Sequence, residues 1–282
     1  MVAGFLCSIA DRSEAPRSQL KIAGAALGHV YKSYGIFSVI NNEHVQLLIT
    51  SLIKSATNKP MAKSLVMPVQ PFRDMFLGWP SNDLLSIKNL RLKTITLLAL
   101  TLMLRPSDIA PKAVHFDAQT LQQKSWLFTT DNITFLDSGE AKIIFHGIKN
   151  DTSRSGFDVI LQPVQERQLD PVQTLHDYIS RTHDIRPQEK PVFLALTPPH
   201  GAITAKTVAG IMNTAIDLAG LSGQGFSAKC FRPTGATIAV ETGCDPEVAM
   251  RLGRWKTRSV FFDHYVHSKP PDTFSANILN HD

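Results

Sequence analysis

The sequence predicts a mainly α-helical protein with one small antiparallel β-sheet, which is an α+β fold class. Three observations predict it. Apolar residues recur at helical spacing through most of the chain. Three short runs between residues 133 and 161 have the composition of β-strands, and a turn of the sequence Asp137-Ser138-Gly139 joins the first two. The apolar fraction of 43% and the charged fraction of 19% are those of an ordinary globular protein.

The first part of the chain predicts two helices and a basic domain. The helical patterns cover residues 19–34 and 43–55. Residues 1–64 contain seven basic and three acidic side chains, so they contribute +4 of the net charge of +5. A basic module suits a polyanionic partner, because Lys and Arg neutralise phosphates and release counterions. A solvated helical face would explain the same charge.

A proline-rich stretch predicts the boundary between two domains. Pro60, Pro68 and Pro71 break helices and favour extended backbone. We therefore expect a basic helical DNA-binding domain over residues 1–62, a linker over 63–71 and a larger domain over 72–282. The length of 282 residues also favours one larger and one smaller domain.

The sequence pattern of the larger domain predicts a long helix, then the sheet, then a series of helices. A helical pattern over residues 82–104 ends shortly before Pro106, which places Arg105 at a corner. The predicted strands are residues 133–136, 141–148 and 157–161, and the later helices are residues 171–183, 204–219, 234–242, 246–252 and 258–266.

Composition and motifs exclude several classes of protein. The longest apolar stretch, residues 95–104, is far shorter than the roughly 20 residues that cross a bilayer, and no secretion signal is recognisable. Cys7, Cys230 and Cys244 are too sparse for a disulfide framework or a zinc cluster. A Gly-rich phosphate loop, a His-Glu-x-x-His helix and a Gly-x-Ser-x-Gly elbow are missing from the sequence. We therefore expect an intracellular protein with no membrane segment, cofactor or metal.

An ordered series of polar and aromatic residues remains as the candidate site. Its order along the chain matters as much as the residue types. The series consists of Arg105 in LRPSD, Lys149 in FHGIKND, Lys229 and Arg232 in SAKCFRPTGAT, Trp255 in RLGRWK and Tyr265 in FFDHYVH.

From residue 69 onward this series resembles the tyrosine recombinase family, also called phage-integrase-like. That family carries an Arg at a helix end with an acidic residue three positions later, as Arg105 and Asp108 stand here. A hairpin Lys, a His or Lys three residues before a second Arg, a His or Trp and then the nucleophilic Tyr follow in the same order. Tyr265 lies ten residues beyond Trp255, where the family has about nine. The motifs LRPSD and GRWK resemble those of eukaryotic mobile-element recombinases more than those of bacterial chromosome-resolving ones. For a eukaryotic protein the resemblance implies the nucleus, and otherwise we expect the cytoplasm.

The resemblance implies a site that cuts DNA through a covalent phosphotyrosine. Arg105 and Arg232 would bind the non-bridging phosphate oxygens with planar, bidentate donors. Tyr265 would attack the phosphorus and store the energy of the broken bond. Lys149 would donate a proton to the departing 5′ oxygen.

Two further residues have less certain roles in that scheme. Lys229 stands where many relatives have His, and since an ammonium is a poor base near neutral pH we assign it to phosphate stabilisation. Trp255 can donate its indole N–H to the phosphate and pack the end of the Tyr-bearing helix.

The resemblance also implies the partners. These are double-stranded DNA and three further copies of the chain, in a tetramer on DNA, with no membrane and no small-molecule cofactor. Residues 272–282 carry Phe274, Ile278 and Leu279 at helical spacing, and in many relatives such a tail docks on a neighbouring subunit.

Plainer explanations and other functions stay open at this point. Taken singly, Arg105 is a helix-end cation, Lys149 a solvated turn residue and Trp255 a core aromatic. A DNA-binding protein derived from a recombinase but unable to cut, a type IB topoisomerase acting as a monomer, and a purely structural helical protein are the competing functions. The combination of six residues in the family's order favours the recombinase.

Overall fold

The computed structural model describes residues 2–13, 16–35, 39–55, 64–110, 115–116, 123–124, 127–146 and 156–266. The chain forms two compact units, Met1–Ala62 and Lys63–Asp282. Lys149 and the tail 272–282 lie outside the described residues, so what is predicted for them stays a prediction. In these described ranges no helix combines the length and the apolar character needed to cross a membrane.

The first unit is a three-helix arrangement with a small core. Helices α1 (Val2–Arg12), α2 (Pro16–Ser33) and α3 (Glu43–Ser55) pack against one another. Each helix places one apolar side chain in the centre, where Leu6, Leu20 and Ile49 are buried. Helix α3 has the predicted bounds, whereas α1 has no counterpart among the predicted elements.

The second unit is mainly helical, as the sequence predicts. Helix α5 runs through its centre and contacts α7, α8 and α9, so apolar residues on most of its surface are buried. The helices are α4 (Gln70–Leu77), α5 (Ile87–Thr101), α6 (Pro106–Ile109), α7 (Pro171–Arg181), α8 (Ala205–Leu218), α9 (Phe231–Glu241), α10 (Pro246–Gly253) and α11 (Arg258–His264).

Two of the helix starts that differ from the expectation have a local explanation. Helix α5 begins at Ile87 rather than at residue 82, because the hydroxyl of Ser86 caps it by accepting a hydrogen bond from the Asn89 N–H. Helix α4 begins at Gln70 and holds Pro71 in its first turn, where a missing N–H costs nothing. A proline near a predicted boundary therefore marks a helix start as readily as a linker.

The sheet is antiparallel, as the sequence predicts. Strands β1 (His115–Phe116) and β2 (Gln123–Lys124) form a separate two-stranded pair. Strands β3 (Ile133–Phe135), β4 (Ala141–Phe145) and β5 (Phe157–Leu161) follow in that order, and Ile143 of the central strand pairs with Ile133 and Val159. Phe145 pairs with Phe157 at the end of β4 and β5, from which the chain leaves toward the predicted hairpin lysine.

A close approach of two helices fixes the region in which the candidate residues meet. A Cβ atom added to Gly235 of α9 would lie 2.3 Å from the Leu100 carbonyl oxygen of α5. Only glycine permits this contact between the helix backbones. The start of α9, which carries Arg232, is thereby held against the end of α5, which leads into Arg105.

Candidate functional site

Arg105 lies at the corner between α5 and α6. The chain turns at Met103, whose φ of 51° is in the left-handed region, and Pro106 then starts α6. The Arg105 backbone N–H donates to Asp108 Oδ2 at 2.9 Å, and the Asp108 N–H donates to the Arg105 carbonyl at 2.8 Å. These two bonds form a reciprocal cap that fixes the backbone from which the Arg105 side chain projects.

Asp108 also holds a second arginine. Arg254 Nη2 lies 2.9 Å from Asp108 Oδ2, and the two side chains are 7% and 1% exposed. Burial lowers the pKa of the Arg254 guanidinium, as does the charge of Arg105, while Asp108 opposes that shift. The only carboxylate that faces this group of arginines is therefore already paired, within the part of the chain that the structure describes.

Arg232 is a buried cation without a carboxylate partner among the described residues. It is 3% exposed, its Nη1 donates to the Met103 carbonyl at 2.7 Å, and its Nη2 donates to the Gly253 carbonyl. Its Nε makes no hydrogen bond with any described residue. Burial lowers the pKa of the Arg232 guanidinium, and the charges of Arg105 and Arg254 lower it further.

Trp255 forms the floor beneath Arg232. The Arg232 guanidinium lies 3.9 Å from the centroid of the indole ring, which is a cation–π contact. A Cβ on Gly253 would lie 1.7 Å from the same ring, so glycine is required before it. The indole Nε1 is buried and has no hydrogen-bond partner among the described residues.

Tyr265 follows directly after α11 and packs against Trp255. Their ring centroids are 4.8 Å apart at 65°, an edge-to-face arrangement. The Thr237 hydroxyl donates to the Tyr265 carbonyl at 2.9 Å, which ties this end of α11 to α9. The guanidinium of Arg232 lies 5.5 Å from the Tyr265 ring.

Lys229 lies in a short 3-10 turn just before α9. Its side chain is exposed. The turn is anchored to α8, because the Ala228 N–H donates to Asn213 Oδ1 at 2.8 Å. Lys229 therefore extends from a fixed backbone at the edge of the site.

An open pocket of about 540 Å³ brings four of the six candidate residues together: Arg105, Lys229, Arg232 and Tyr265. Trp255 lies behind Arg232 and Tyr265 and is not part of the lining, and Lys149 lies outside the described residues. The remaining lining is neutral and consists of Ser64, Leu104, Pro106, Ser107, Ala205, Ala209, Asn213, Ser227 and Ala228.

Solved structures identify this arrangement of elements, although no family model and no curated protein matches the sequence. XerH site-specific recombinase, bound to a palindromic difH substrate after cleavage, is similar with a TM-score of 0.54 and 14% identity over 92% of this chain and 70% of that one. XerA recombinase has a TM-score of 0.54 and 13% identity over 94% and 76% of the two chains. A lambda integrase dimer bound to a COC′ core site has 0.52 and 14%, over 96% and 81%. The chain has the tyrosine recombinase fold.

Within this fold, the pocket joins an excess of positive charge to one phenol. Arg105, Arg232 and Lys229 are cationic lining residues, and Tyr265 is the one tyrosine in the lining. Planar guanidiniums bind phosphate oxygens bidentately, and a phenol is a nucleophile when it ionises. The arrangement is chemically suited to bind a phosphodiester and to attack it.

Sequence reasoning missed Arg254, although it stands directly before Trp255 in GRWK. Its signal is weak, because an arginine after a glycine at a helix end is typical of a solvated C-cap. In the structure it has a φ of 61° and points inward to Asp108. An exposed arginine at this position would have the same sequence pattern.

Proposed function

We propose that this protein is a site-specific DNA recombinase or integrase, which cleaves and rejoins DNA strands through a 3′-phosphotyrosine bond to Tyr265. The observation that carries the proposal is the lining of the 540 Å³ pocket, which includes two arginines, one lysine and one tyrosine. The fold shared with XerH, XerA and lambda integrase supports the same conclusion.

The charge balance of the pocket calls for an anion. Burial disfavours the charged form of Arg232 and lowers its pKa, the charges of Arg105 and Arg254 lower it further, and Asp108 and Tyr265 act against the shift. Such an arrangement is costly unless a bound anion offsets it. A phosphodiester supplies a negative charge, and that charge grows on the non-bridging oxygens as the phosphorus is attacked.

The proposed reaction assigns one task to each residue. The Tyr265 oxygen attacks the phosphorus and gives up its proton to water, the bond to the 5′ oxygen breaks, and the 3′ end stays attached to the protein. Arg105, Arg232 and Lys229 stabilise the charged transition state, and Lys149 donates the proton that the departing 5′ oxygen needs. Attack by that 5′ hydroxyl, or by one from another strand, reverses the steps and reseals the DNA.

The rest of the chain serves the assembly on DNA in this proposal. Residues 1–62 contribute the basic side chains that would grip the duplex beside the domain of residues 72–282. XerH, the Tn1549 transposon integrase and lambda integrase were each solved with DNA, which supports double-stranded DNA as the partner. The proposed assembly is a homotetramer on DNA, in the nucleus if the protein is eukaryotic and otherwise in the cytoplasm.

A suicide substrate tests the proposal directly. A duplex is selected from a random-sequence pool by its binding to the purified protein, and it is then nicked so that a short fragment is lost after cleavage. The wild-type protein should become attached to a 3′ end and run as a larger band under denaturing conditions. It should do so in EDTA and without nucleotide, since no step in the proposed reaction uses either a metal or ATP.

Tyr265→Phe is the variant that decides the test, and Tyr34→Phe is its control. Tyr265→Phe removes one hydroxyl, so DNA affinity should remain while the adduct disappears. Tyr34 is exposed and lies in the first unit, so its loss should leave adduct formation unchanged. An adduct with Tyr265→Phe refutes the assignment, and DNA binding without any wild-type adduct favours the non-cutting alternative.

A further inference from the structure

One buried carboxylate oxygen joins two arginines of the site. Asp108 Oδ2 accepts the backbone N–H of Arg105 at 2.9 Å and, on the same atom, Arg254 Nη2 at 2.9 Å. Arg254 therefore does not bind at the open side of the pocket, and it is not among the lining residues. Its charge is instead paired with Asp108, the residue that caps the backbone at Arg105.

The residues on either side of Arg254 support the Arg232 guanidinium. The Gly253 carbonyl accepts a hydrogen bond from Arg232 Nη2, and the Trp255 ring stacks against the Arg232 guanidinium at 3.9 Å. The turn itself is held by the Trp255 N–H, which donates to the Met250 carbonyl at 2.9 Å, while Arg254 adopts a left-handed conformation. Gly253 and Trp255 therefore hold the Arg232 guanidinium. Arg254, between them, binds Asp108, which caps the backbone at Arg105.

Arg254 also contacts the end of the β-sheet. Its guanidinium carbon lies 5.8 Å from the Phe145 ring centroid and 5.6 Å from that of Phe157. These two phenylalanines are paired across β4 and β5 at the base of the segment that leads to Lys149. From the turn under Arg232, the Arg254 side chain therefore contacts two other segments, the α6 cap and the end of the sheet.

We propose that Arg254 is a positioning residue that sets the spacing between the Arg105 and Arg232 guanidiniums, so that both bind one phosphate. This inference rests on the proposed function for the identity of the phosphate, which there belongs to DNA. Arg254 itself touches neither substrate nor reacting atoms. It acts by pinning the Asp108 cap to the turn at residues 253–255, across a buried ion pair in which a misfit cannot be absorbed by water.

The first experiment measures single-turnover cleavage of the selected nicked duplex at saturating protein, together with the dissociation constant for the same duplex. Arg254→Gln removes the ion pair, and a displacement of about 1 Å in a reacting group typically costs about a hundredfold in rate. We expect cleavage at saturating protein to slow by about that factor, while the dissociation constant of the duplex rises by no more than about tenfold, as weaker binding of one phosphate requires. Arg251→Gln removes the same charge from an exposed position one turn earlier, and it should change neither quantity.

Coupling between Arg254 and Asp108 separates positioning from a general loss of stability. Asp108→Asn should slow cleavage by itself, and the Asp108→Asn/Arg254→Gln double variant should be no slower than the worse single variant, since both remove one interaction. Each variant is assayed well below its melting temperature. If Arg254→Gln does not fold, Arg254→Lys keeps one charged donor for Asp108 but lacks the planar fork, and it should fold yet cleave at least about tenfold more slowly.

Inorganic phosphate gives a measurement that does not depend on cleavage. In wild-type protein labelled with nitrogen-15, added phosphate should shift the Nε–H signals of Arg105 and Arg232 with one common dissociation constant. That constant should rise at least about tenfold in Arg254→Gln or Arg254→Lys, the usual cost of one charge-assisted hydrogen bond, and stay the same in Arg251→Gln. Two different constants, no phosphate binding, or equal binding in the Arg254 variants would overturn the positioning role.

The two proposals fail in different ways. If no DNA substrate yields an adduct but phosphate binds both guanidiniums and needs Arg254, the proposed function is wrong and the positioning role stands. If wild type and the Arg254 variants cleave the duplex at the same rate, the function stands and Arg254 has no positioning role.

Discussion

Two groups of buried cations in the second unit differ in how their charge is met. In the arginine cluster, defined here as Arg105, Arg232, Arg254 and Asp108, three arginines lie near one carboxylate, and only the Arg254 guanidinium pairs with it. In the lysine cluster, defined as Lys93, Asn82 and Asp177, the Lys93 Nζ donates to Asn82 Oδ1 at 2.8 Å, and Asn82 Nδ2 donates to Asp177 Oδ2 at 2.8 Å. The lysine cluster supplies its own counter-charge, whereas the arginine cluster leaves an excess.

The pKa shifts express the same contrast. Burial lowers the pKa of Lys93 to about 8, and Asp177 acts against that shift. Burial also lowers the pKa of Arg232; there two neighbouring arginines act in the same direction, while Asp108 and Tyr265 act against it. Lys93 has an acidic neighbour that offsets its burial, as in a structural network. Arg232 also has two like charges beside it, which a bound anion would offset.

Replacing each buried cation by glutamine should give the largest difference between the two clusters. Arg232→Gln should reduce single-turnover cleavage of the selected duplex by about a thousandfold, because the transition state loses a planar, charged donor. Lys93→Gln should leave the cleavage rate of the folded protein within about threefold of wild type. Both rates are measured well below the melting temperatures of the variants. Comparable losses of cleavage rate in the two variants would show that the arginine cluster is no more important for cleavage than the lysine cluster.

The fold and most of the candidate site were accessible from the sequence for a physical reason. Helical periodicity, the turn Asp137-Ser138-Gly139 and Pro106 are local signals, so they predict the elements and the corner at Arg105 without knowledge of packing. The resemblance of the polar residues, in their order, to the tyrosine recombinase family then predicted Arg105, Lys229, Arg232 and Tyr265 as site residues, and these four line one pocket.

What the sequence could not predict depends on contacts between distant segments. Asp108 and Arg254 are far apart in the chain, and only the tertiary fold shows that they form a buried pair. Lys93 lies within an ordinary helical pattern, where a lysine is most often solvated, yet its side chain is fully buried. Neither partner choice nor burial can be read from the spacing of residues along one element.

A substitution at Gly253 would displace the Trp255 ring that supports Arg232 and leave the lysine cluster unchanged. In Gly253→Ala the added methyl would overlap the Trp255 ring, which must move away from the guanidinium. We expect a loss of about 3 kcal/mol in the free energy of unfolding, as overpacked sites show, and a cleavage rate at least about tenfold lower. Urea denaturation and the suicide-substrate assay measure the two effects.

Gly210→Ala is the matched control for that substitution. Gly210 lies inside α8, and a Cβ there would meet no atom within 4 Å. The change should stabilise the protein slightly, by about 0.5–1 kcal/mol, since alanine restricts the unfolded chain. If Gly253→Ala behaved like Gly210→Ala in both assays, the Trp255 ring would not be the support that the contact distances indicate.

The smallest expected effect concerns the lysine cluster and appears only as a dependence on pH. Lys93 has an ordinary pKa of 10.5 in the unfolded chain and of about 8 in the folded protein. Between these values the unfolded chain retains a proton that the folded protein has released, so the Lys93 contribution to stability rises with pH. Below about pH 8 both states hold the proton and the contribution is flat at its least favourable value.

The comparison with Lys93→Met isolates this contribution, since all other titrating groups are common to both proteins. From about pH 8 to pH 10 the free energy of unfolding of wild type should gain about 2 kcal/mol relative to the variant, as measured by urea denaturation. A flat difference across this range would mean that Lys93 keeps its proton because Asp177 compensates fully for burial. The lysine cluster would then be a closed ion-pair network, and the contrast with the arginine cluster would be larger than the pKa shifts alone indicate.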